Sequence, residues 1–281
     1  MTAQILDGKK LALSIREELK EKISALSTKP SLAVIIVGAD PASEIYVRNK
    51  EKACQAVGII PQTYKLPETT DEEALLELIT ELNNQPEING ILVQLPLPKH
   101  LDTTKILQTI SPAKDVDGFH PVNVGLLQQK NPEGFIPCTP KGIIRLLKTV
   151  KQYLNGLNAV VVGRSQIVGL PVAQLLLHEN CTVTITHSKT QNLSSICKSA
   201  DILVAALGKA EFITKEFIKP DAILIDVGIN RTETGLKGDI KFADAEKTAA
   251  YITPVPGGVG PMTIAMLLEN TLEAYLKQHR P

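Results

Sequence analysis

At 281 residues the chain is long enough for two domains and can bury a large core. With 43% hydrophobic and 21% charged residues it reads as a soluble globular protein and not a disordered one. Thirty basic residues cancel thirty acidic ones, which argues against nucleic-acid or membrane-surface partners reached by bulk charge, and the longest apolar runs are of strand length.

Ala12, Ile15, Leu19, Ile23 and Leu26 recur at helical spacing and predict a helix over 8–26. Ser31–Val37 is a continuous apolar run closed by Gly38, as in a strand covered on both faces. Asp40-Pro41 then supplies a helix N-cap and a proline at the first helical position, and Gly58 marks the end. A helix over 71–83 and a buried strand over 90–96 follow, then a further helix and the turn-rich stretch Ser111–Gly118. From Thr139 a helix leads into a second series, with strands at 158–162, 182–186, 201–206 and 222–227. Strands separated by helices predict parallel sheets with right-handed crossovers, and two such series predict two α/β domains with a cleft between them. A last helix, from about Met262, carries Ile264, Leu267, Leu268, Leu272, Tyr275 and Leu276 on one stripe and is expected to dock back on the first domain.

Cys54, Cys138, Cys181 and Cys197 include no Cys-x-x-Cys pair, and the five histidines are equally scattered. The expectation is reduced thiols in a cytoplasmic protein and no metal site. The opening residues lack the basic start and apolar middle of a signal peptide.

Tyr251–Thr263 is dense in proline and glycine: Pro254, Pro256 and Pro261 fix φ and remove donors, while Gly257, Gly258 and Gly260 admit conformations that a side chain forbids. It is expected to be a stiff loop that either brings bare backbone to a flat ligand or serves as a connector.

Val160–Val172 reads as strand, glycine turn and helix start, the order of a Rossmann first turn. The match to Gly-x-Gly-x-x-Gly is imperfect, with Ser165 at the second glycine, Val168 at the third, and Gly169 one residue later; alone it is weak, and a structural turn reads almost as well. The next strand ends in His187-Ser188-Lys189, with no carboxylate for a ribose hydroxyl, and Arg164 lies in the first turn. That combination favours the 2′-phosphate of NADP over NAD, although both cations also suit a solvated surface. Asp226–Asn230 closes a later strand and would set Gly228 and Ile229 toward a nicotinamide.

On the helix after Pro41, Tyr46, Lys50, Ala53 and Val57 share one face, and Ser43 lies within a turn of Tyr46. A lysine on an apolar stripe either snorkels to a rim or loses its proton more easily than usual and moves protons near neutrality. Gln94 falls at the ligand-binding edge of strand 90–95 as a candidate partner. Asp115 and Asp117 sit in a turn where solvation is the default; Asp117, before Gly118, is the better candidate to accept from a heterocycle. A Tyr-x-x-x-Lys pair also occurs in short-chain dehydrogenases, but there it follows the glycine loop, whereas Lys50 precedes Gly163.

Together, Val37–Lys50, Gly90–Pro98, Lys114–Pro121, Pro137–Gly142, Gly163–Gly169 and Tyr251–Thr263 resemble the bifunctional methylenetetrahydrofolate dehydrogenase/methenyltetrahydrofolate cyclohydrolase family, in the family's order over nearly the whole chain. The resemblance implies a folate-binding catalytic domain of residues 1–118 plus 262–281 and an NADP-binding Rossmann-type domain of residues 119–261. It implies oxidation of 5,10-methylenetetrahydrofolate with NADP+, then hydrolysis to 10-formyltetrahydrofolate. Lys50 would transfer protons, positioned by Gln94, with Tyr46 stacking on the folate, Asp117 anchoring the pterin, and Ser43, Pro256, Gly257 and Gly258 lining the substrate. Gly163, Arg164, Ser165, Ser188 and Ile229 would hold the cofactor. A homodimer through the cofactor domain is also implied. The rival readings are an NADP-dependent dehydrogenase of another small substrate on a similar scaffold, such as a shikimate-type enzyme, and a non-catalytic folate-binding protein.

Overall fold

The computed structural model describes residues 2–280, apart from the side chain of Ala42. In chain order the elements are β1 (Gln4–Ile5), α1 (Gly8–Ser24), β2 (Ser31–Val37), α2 (Pro41–Val57), β3 (Ile60–Leu66), α3 (Glu72–Asn84) and β4 (Gly90–Val93). Three helices follow, α4 (Thr103–Thr109), α5 (Pro121–Gln128) and α6 (Cys138–Val150). Next come β5 (Asn158–Val162), α7 (Gly169–His178), β6 (Thr182–Thr186), α8 (Leu193–Cys197), β7 (Ile202–Ala205) and β8 (Ile223–Asp226). The last are β9 (Asn230–Thr232), β10 (Gly235–Lys237), α9 (Phe242–Ala245), β11 (Tyr251–Ile252) and α10 (Val259–Gln278). Two units form: the residues up to Leu13 with Thr139–Thr263, and Ser14–Cys138 with the residues from Ile264 on.

In the Ser14–Cys138 unit, β3, β2 and β4 make a parallel sheet in that order. Every residue of β2 is buried, as its unbroken apolar run requires. Asp40 Oδ2 accepts the Ser43 N–H at 2.8 Å, Pro41 occupies the first turn of α2, and Gly58 ends it at φ 89°. These signals fix the register of α2 and so the face that carries Tyr46 and Lys50. β4 stops at Val93 rather than at Pro96; the Gln94 N–H still reaches Ile35 O at 2.8 Å, and Pro96 has no N–H to extend the ladder. Beside β4 the 114–118 turn is held close: Ile91 N–H donates to Lys114 O at 2.8 Å, and a Cβ on Gly90 would lie 2.7 Å from Val116. Lys114 is structural, its ammonium donating to Leu82 O and Gln85 O at the end of α3.

The second unit holds a parallel six-stranded sheet in the order β1-β11-β8-β7-β5-β6. β6 and β7 lie on opposite sides of β5, so the order reverses there, and the carboxyl ends of β5 and β7 form the switch point where open α/β sheets bind ligands.

Several expectations need correction. The stretch 251–263 is not all loop: Tyr251–Ile252 pairs in the sheet, and α10 begins at Val259 instead of Met262. Pro261 fits because the first helical turn leaves its missing N–H without consequence. β3, α5 and the β9–β10 hairpin add to the elements legible in the sequence, where they carry no strong periodic signal; β3 contains Pro61 and is tolerated at an edge. The unit boundaries also differ from 118/119 and 261/262. Residues before Leu13 belong with the cofactor sheet because β1 pairs with β11. Residues 119–138 stay with the other unit, where Asp115 accepts the His120 N–H at 2.8 Å and Asn123 Nδ2 at 2.9 Å.

Candidate functional site

Lys50 and Gln94 meet in the Ser14–Cys138 unit. The Lys50 ammonium donates to Gln94 Oε1 at 3.0 Å, and Gln94 Nε2 donates to Leu95 O at 2.7 Å, which fixes the amide's orientation. Burial lowers the Lys50 pKa, and the Asp117 charge opposes that shift. Burial raises the Asp117 carboxyl, opposed by Lys50 and reinforced by Asp115. The two aspartates divide the work: Asp115 is 1% exposed and spends its carboxylate on His120 and Asn123, whereas Asp117 faces the Lys50 charge. Tyr46 is half-buried one turn before Lys50. Ser43 is buried, and its hydroxyl donates to Asp40 Oδ2 at 2.9 Å, so it completes the helix cap.

Two further residues shape this site without having been singled out from sequence. The Cys138 thiol donates to Val116 O at 3.4 Å and, beside Asp117, favours that carboxyl's ionised form. Asn270 Nδ2, fully buried, donates to Val116 O at 2.8 Å and Ile136 O at 2.9 Å, tying together the chain just before Asp117 and the chain just before Cys138. The signal for Asn270 was present: an amide within the apolar stripe of α10 demands buried partners.

In the other unit, Gly163, Arg164 and Ser165 follow β5 at the switch point. Gly163 has φ 128°, and a Cβ there would lie 2.1 Å from Ala206 O. Gly169 does the close-packing task of the third fingerprint glycine one residue late, since its Cβ would lie 2.3 Å from Gly163 O. Ser165 Oγ accepts the Val168 and Gly169 N–H groups at 3.2 and 3.3 Å, capping α7 where the fingerprint has glycine. Arg164 is exposed there, and Ser188 is exposed in the turn after neighbouring β6, where Thr190 N–H donates to His187 O at 2.9 Å. Ile229, 46% exposed, follows β8 at the same sheet edge. A bare-backbone cradle, a helix N-terminus and an exposed arginine fit a dinucleotide phosphate. Pro256 is exposed, Gly257 has φ 110°, and Gly258 N–H donates to Pro254 O at 2.8 Å. This turn packs on the start of α1, where a Cβ on Gly8 would lie 1.8 Å from Gly258 O. Among the described residues, no three or more His, Cys, Asp or Glu side chains are grouped to hold a metal ion.

A dinucleotide cradle on one sheet and a lysine–glutamine–aspartate group on another define a two-unit α/β enzyme of the nucleotide-linked oxidoreductase class. Residues 6–117 match the model of the tetrahydrofolate dehydrogenase/cyclohydrolase catalytic domain, and residues 137–279 match that family's NAD(P)-binding domain. The chain is 55% identical over 278 residues to the bifunctional protein FolD of Acetivibrio thermocellus, covering 98% of this chain and 97% of the relative. The crystal structure of the FolD methylenetetrahydrofolate dehydrogenase/cyclohydrolase from Campylobacter jejuni superimposes with a TM-score of 0.96 at 48% identity, covering 98% of this chain and 99% of that one. The Trypanosoma brucei dehydrogenase-cyclohydrolase, solved with NADP cofactor and an inhibitor, gives a TM-score of 0.95 at 40% identity over 100% of both chains. The chain belongs to the tetrahydrofolate dehydrogenase/cyclohydrolase family.

Proposed function

We propose that the protein oxidises 5,10-methylenetetrahydrofolate to the methenyl cation with NADP+ and hydrolyses that cation to 10-formyltetrahydrofolate. The observation that carries the second step is the Lys50–Gln94 hydrogen bond of 3.0 Å beside Asp117, with the lysine's pKa lowered by burial. When bound, NADP+ supplies the hydride acceptor. Gly163 and Ser165 shape the phosphate cradle, Arg164 and Ser188 meet the 2′-phosphate, and Ile229 sets the nicotinamide face. Hydrolysis needs protons moved at the folate. Water bonds to the methenyl carbon and gives up a proton, the carbon–nitrogen bond of the ring breaks, and the departing nitrogen takes a proton. A lysine whose pKa is lowered by burial can accept the first proton and return the second. Gln94 aims it, Asp117 accepts from the pterin, and Tyr46 stacks on the folate. Ser43 supports the start of α2, while Pro256, Gly257 and Gly258 offer backbone to the substrate.

A dehydrogenase of another small substrate leaves the Lys50–Gln94–Asp117 group without a task, and a mere binding protein leaves its pKa shifts without one. A homodimer through the cofactor unit is supported by the open edge at β6, flanked by exposed Leu170, Leu177 and Ile185. Four buried cysteines, none of them in a disulfide, suit the reducing cytoplasm. The test supplies 5,10-methylenetetrahydrofolate with NADP+ or NAD+ and follows reduced cofactor, methenyl product and formyl product separately. Reduction with NADP+ followed by formyl product is expected. Reduction without ring opening unseats Lys50 as proton carrier, and no reduction with either cofactor returns the protein to the binding class.

A further inference from the structure

Two fully enclosed carboxylates lie at the carboxyl edge of the six-stranded sheet, Asp226 at 3% exposure and Asp239 at 0%. Asp226 Oδ1 accepts the Gly228 N–H at 3.0 Å and the Asp239 N–H at 2.8 Å, and its Oδ2 accepts the Ile240 N–H at 2.9 Å. Asp239 Oδ2 accepts the Leu207 and Gly208 N–H groups at 2.7 and 2.9 Å. Its Oδ1 accepts the Lys209 N–H and Asn230 Nδ2, both at 2.9 Å. A glycine stands against each carboxylate: a Cβ on Gly238 would lie 1.9 Å from Asp226 Oδ2, and one on Gly228 would lie 2.3 Å from Asp239 Oδ1. The backbone therefore comes as close to both groups as atoms allow.

The segments so tied are the turn after β7, the turn after β8 and the chain entering α9. Ile229, 46% exposed, lies between two of the anchored positions. The Gly228 N–H before it is bound to Asp226, and the Asn230 side chain after it is bound to Asp239. The same Asp239 holds the amides that follow Ala206, whose carbonyl Gly163 packs against. Enclosing two carboxylates is costly unless their donors are all supplied, and an exposed isoleucine needs no such anchorage for stability alone. We propose that Asp226 and Asp239 are positioning residues for hydride transfer: they fix the height of Ile229 against the nicotinamide and lock it to the glycine turn after β5. This rests on the cofactor reading given above.

The decisive variant is Asn230→Ala, which removes one of the bonds to Asp239; Asp239→Asn is the stronger perturbation. Each is assayed for NADPH binding, for dehydrogenase and cyclohydrolase turnover, and for the primary isotope effect with substrate deuterated at the methylene carbon. Misplacing a reacting group costs rate steeply. The expected result for Asn230→Ala is a dehydrogenase rate lowered about tenfold with an enlarged isotope effect, and cyclohydrolase turnover within about twofold of the parent. If Asp239→Asn loses its thermal transition, Asn230→Ala alone decides. An unchanged isotope effect, or parallel loss of both activities, overturns the proposal. Failure of the parent protein to bind NADPH overturns the cofactor reading instead.

Discussion

Burial lowers the pKa of the Lys50 ammonium and raises that of the Asp117 carboxyl, and each group's charge resists the shift of the other. Each charge therefore favours the ionised form of its neighbour. Asp117→Asn removes the charge that favours the ammonium, so the lysine gives up its proton more readily. The pH–rate limb of cyclohydrolase governed by Lys50 is expected to move to lower pH, and a limb that stays put detaches the two residues. Lys50→Met is expected to cost cyclohydrolase about 10²- to 10⁴-fold, the usual worth of general acid–base catalysis, while some dehydrogenase activity survives. Equal loss of both in a folded variant would give Lys50 a binding role. Asp226 makes a separate prediction. Burial pushes its carboxyl up to about 7, against three amide donors that favour the ionised form. An unfolded aspartate titrates near about 4, so between about pH 4 and 7 the folded protein keeps a proton that the unfolded chain loses. Stability from this group is full below that window and falls by about 4 kcal/mol as pH rises through it. Asp226→Asn has no such proton to lose. Its amide also turns a donor toward one of the three N–H groups, so it is expected to melt below the parent at pH 5, with a gap that narrows toward pH 8. A gap that widens would identify the ionised carboxylate as the form that holds the loop.

The elements most legible in the sequence are those whose ends and faces are fixed locally. β2 is an unbroken apolar run, and α2 is bounded by Asp40, Pro41 and Gly58, so both were placed by residues within a few positions of each other. β1, β3, β11 and the β9–β10 hairpin are strands because of partners distant in sequence or because of a short turn, and their own composition says little. The dinucleotide turn lies between these cases. Its glycines were visible, but the spacing looked wrong because Ser165 caps α7 and Gly169 takes over the close approach. Gly169→Ala tests that account. Its Cβ would lie 2.3 Å from Gly163 O and 2.6 Å from Gly163 C, backbone atoms that no rotamer change can clear. Overpacking of this kind costs about 1–3 kcal/mol, and the strain falls on the cofactor turn. The variant is expected to raise the KM for NADP+ by about tenfold or more, with folate KM little changed. An alanine variant with parental NADP+ kinetics would make Gly169 an incidental glycine.

For the whole molecule, the sequence revealed two α/β series and the candidate residues of each, because strand ends and helix faces determine where side chains emerge. It did not reveal which partners the shared supports find: Asn270 reaches back to Val116, and Asp239 reaches back to Leu207. Such bonds join segments far apart in the chain and leave no periodic trace. Assembly is the last property that a single chain shows only indirectly. β6 ends the six-stranded sheet, and its backbone edge has no neighbour within the described residues. Beside it Leu170 is 44%, Leu177 53% and Ile185 40% exposed, a concentration of apolar side chains on one strand and the helix before it. An open parallel edge with such flanks is a liability unless covered, and the symmetric way to cover it is a second copy of the same edge. The protein is expected to be a dimer by light scattering at micromolar concentration. Ile185→Lys sets two ammonium groups near the symmetry axis and is expected to yield monomers that keep the fold by circular dichroism. A parent that scatters as a monomer, or an Ile185→Lys variant that remains dimeric, would place the interface elsewhere or remove it.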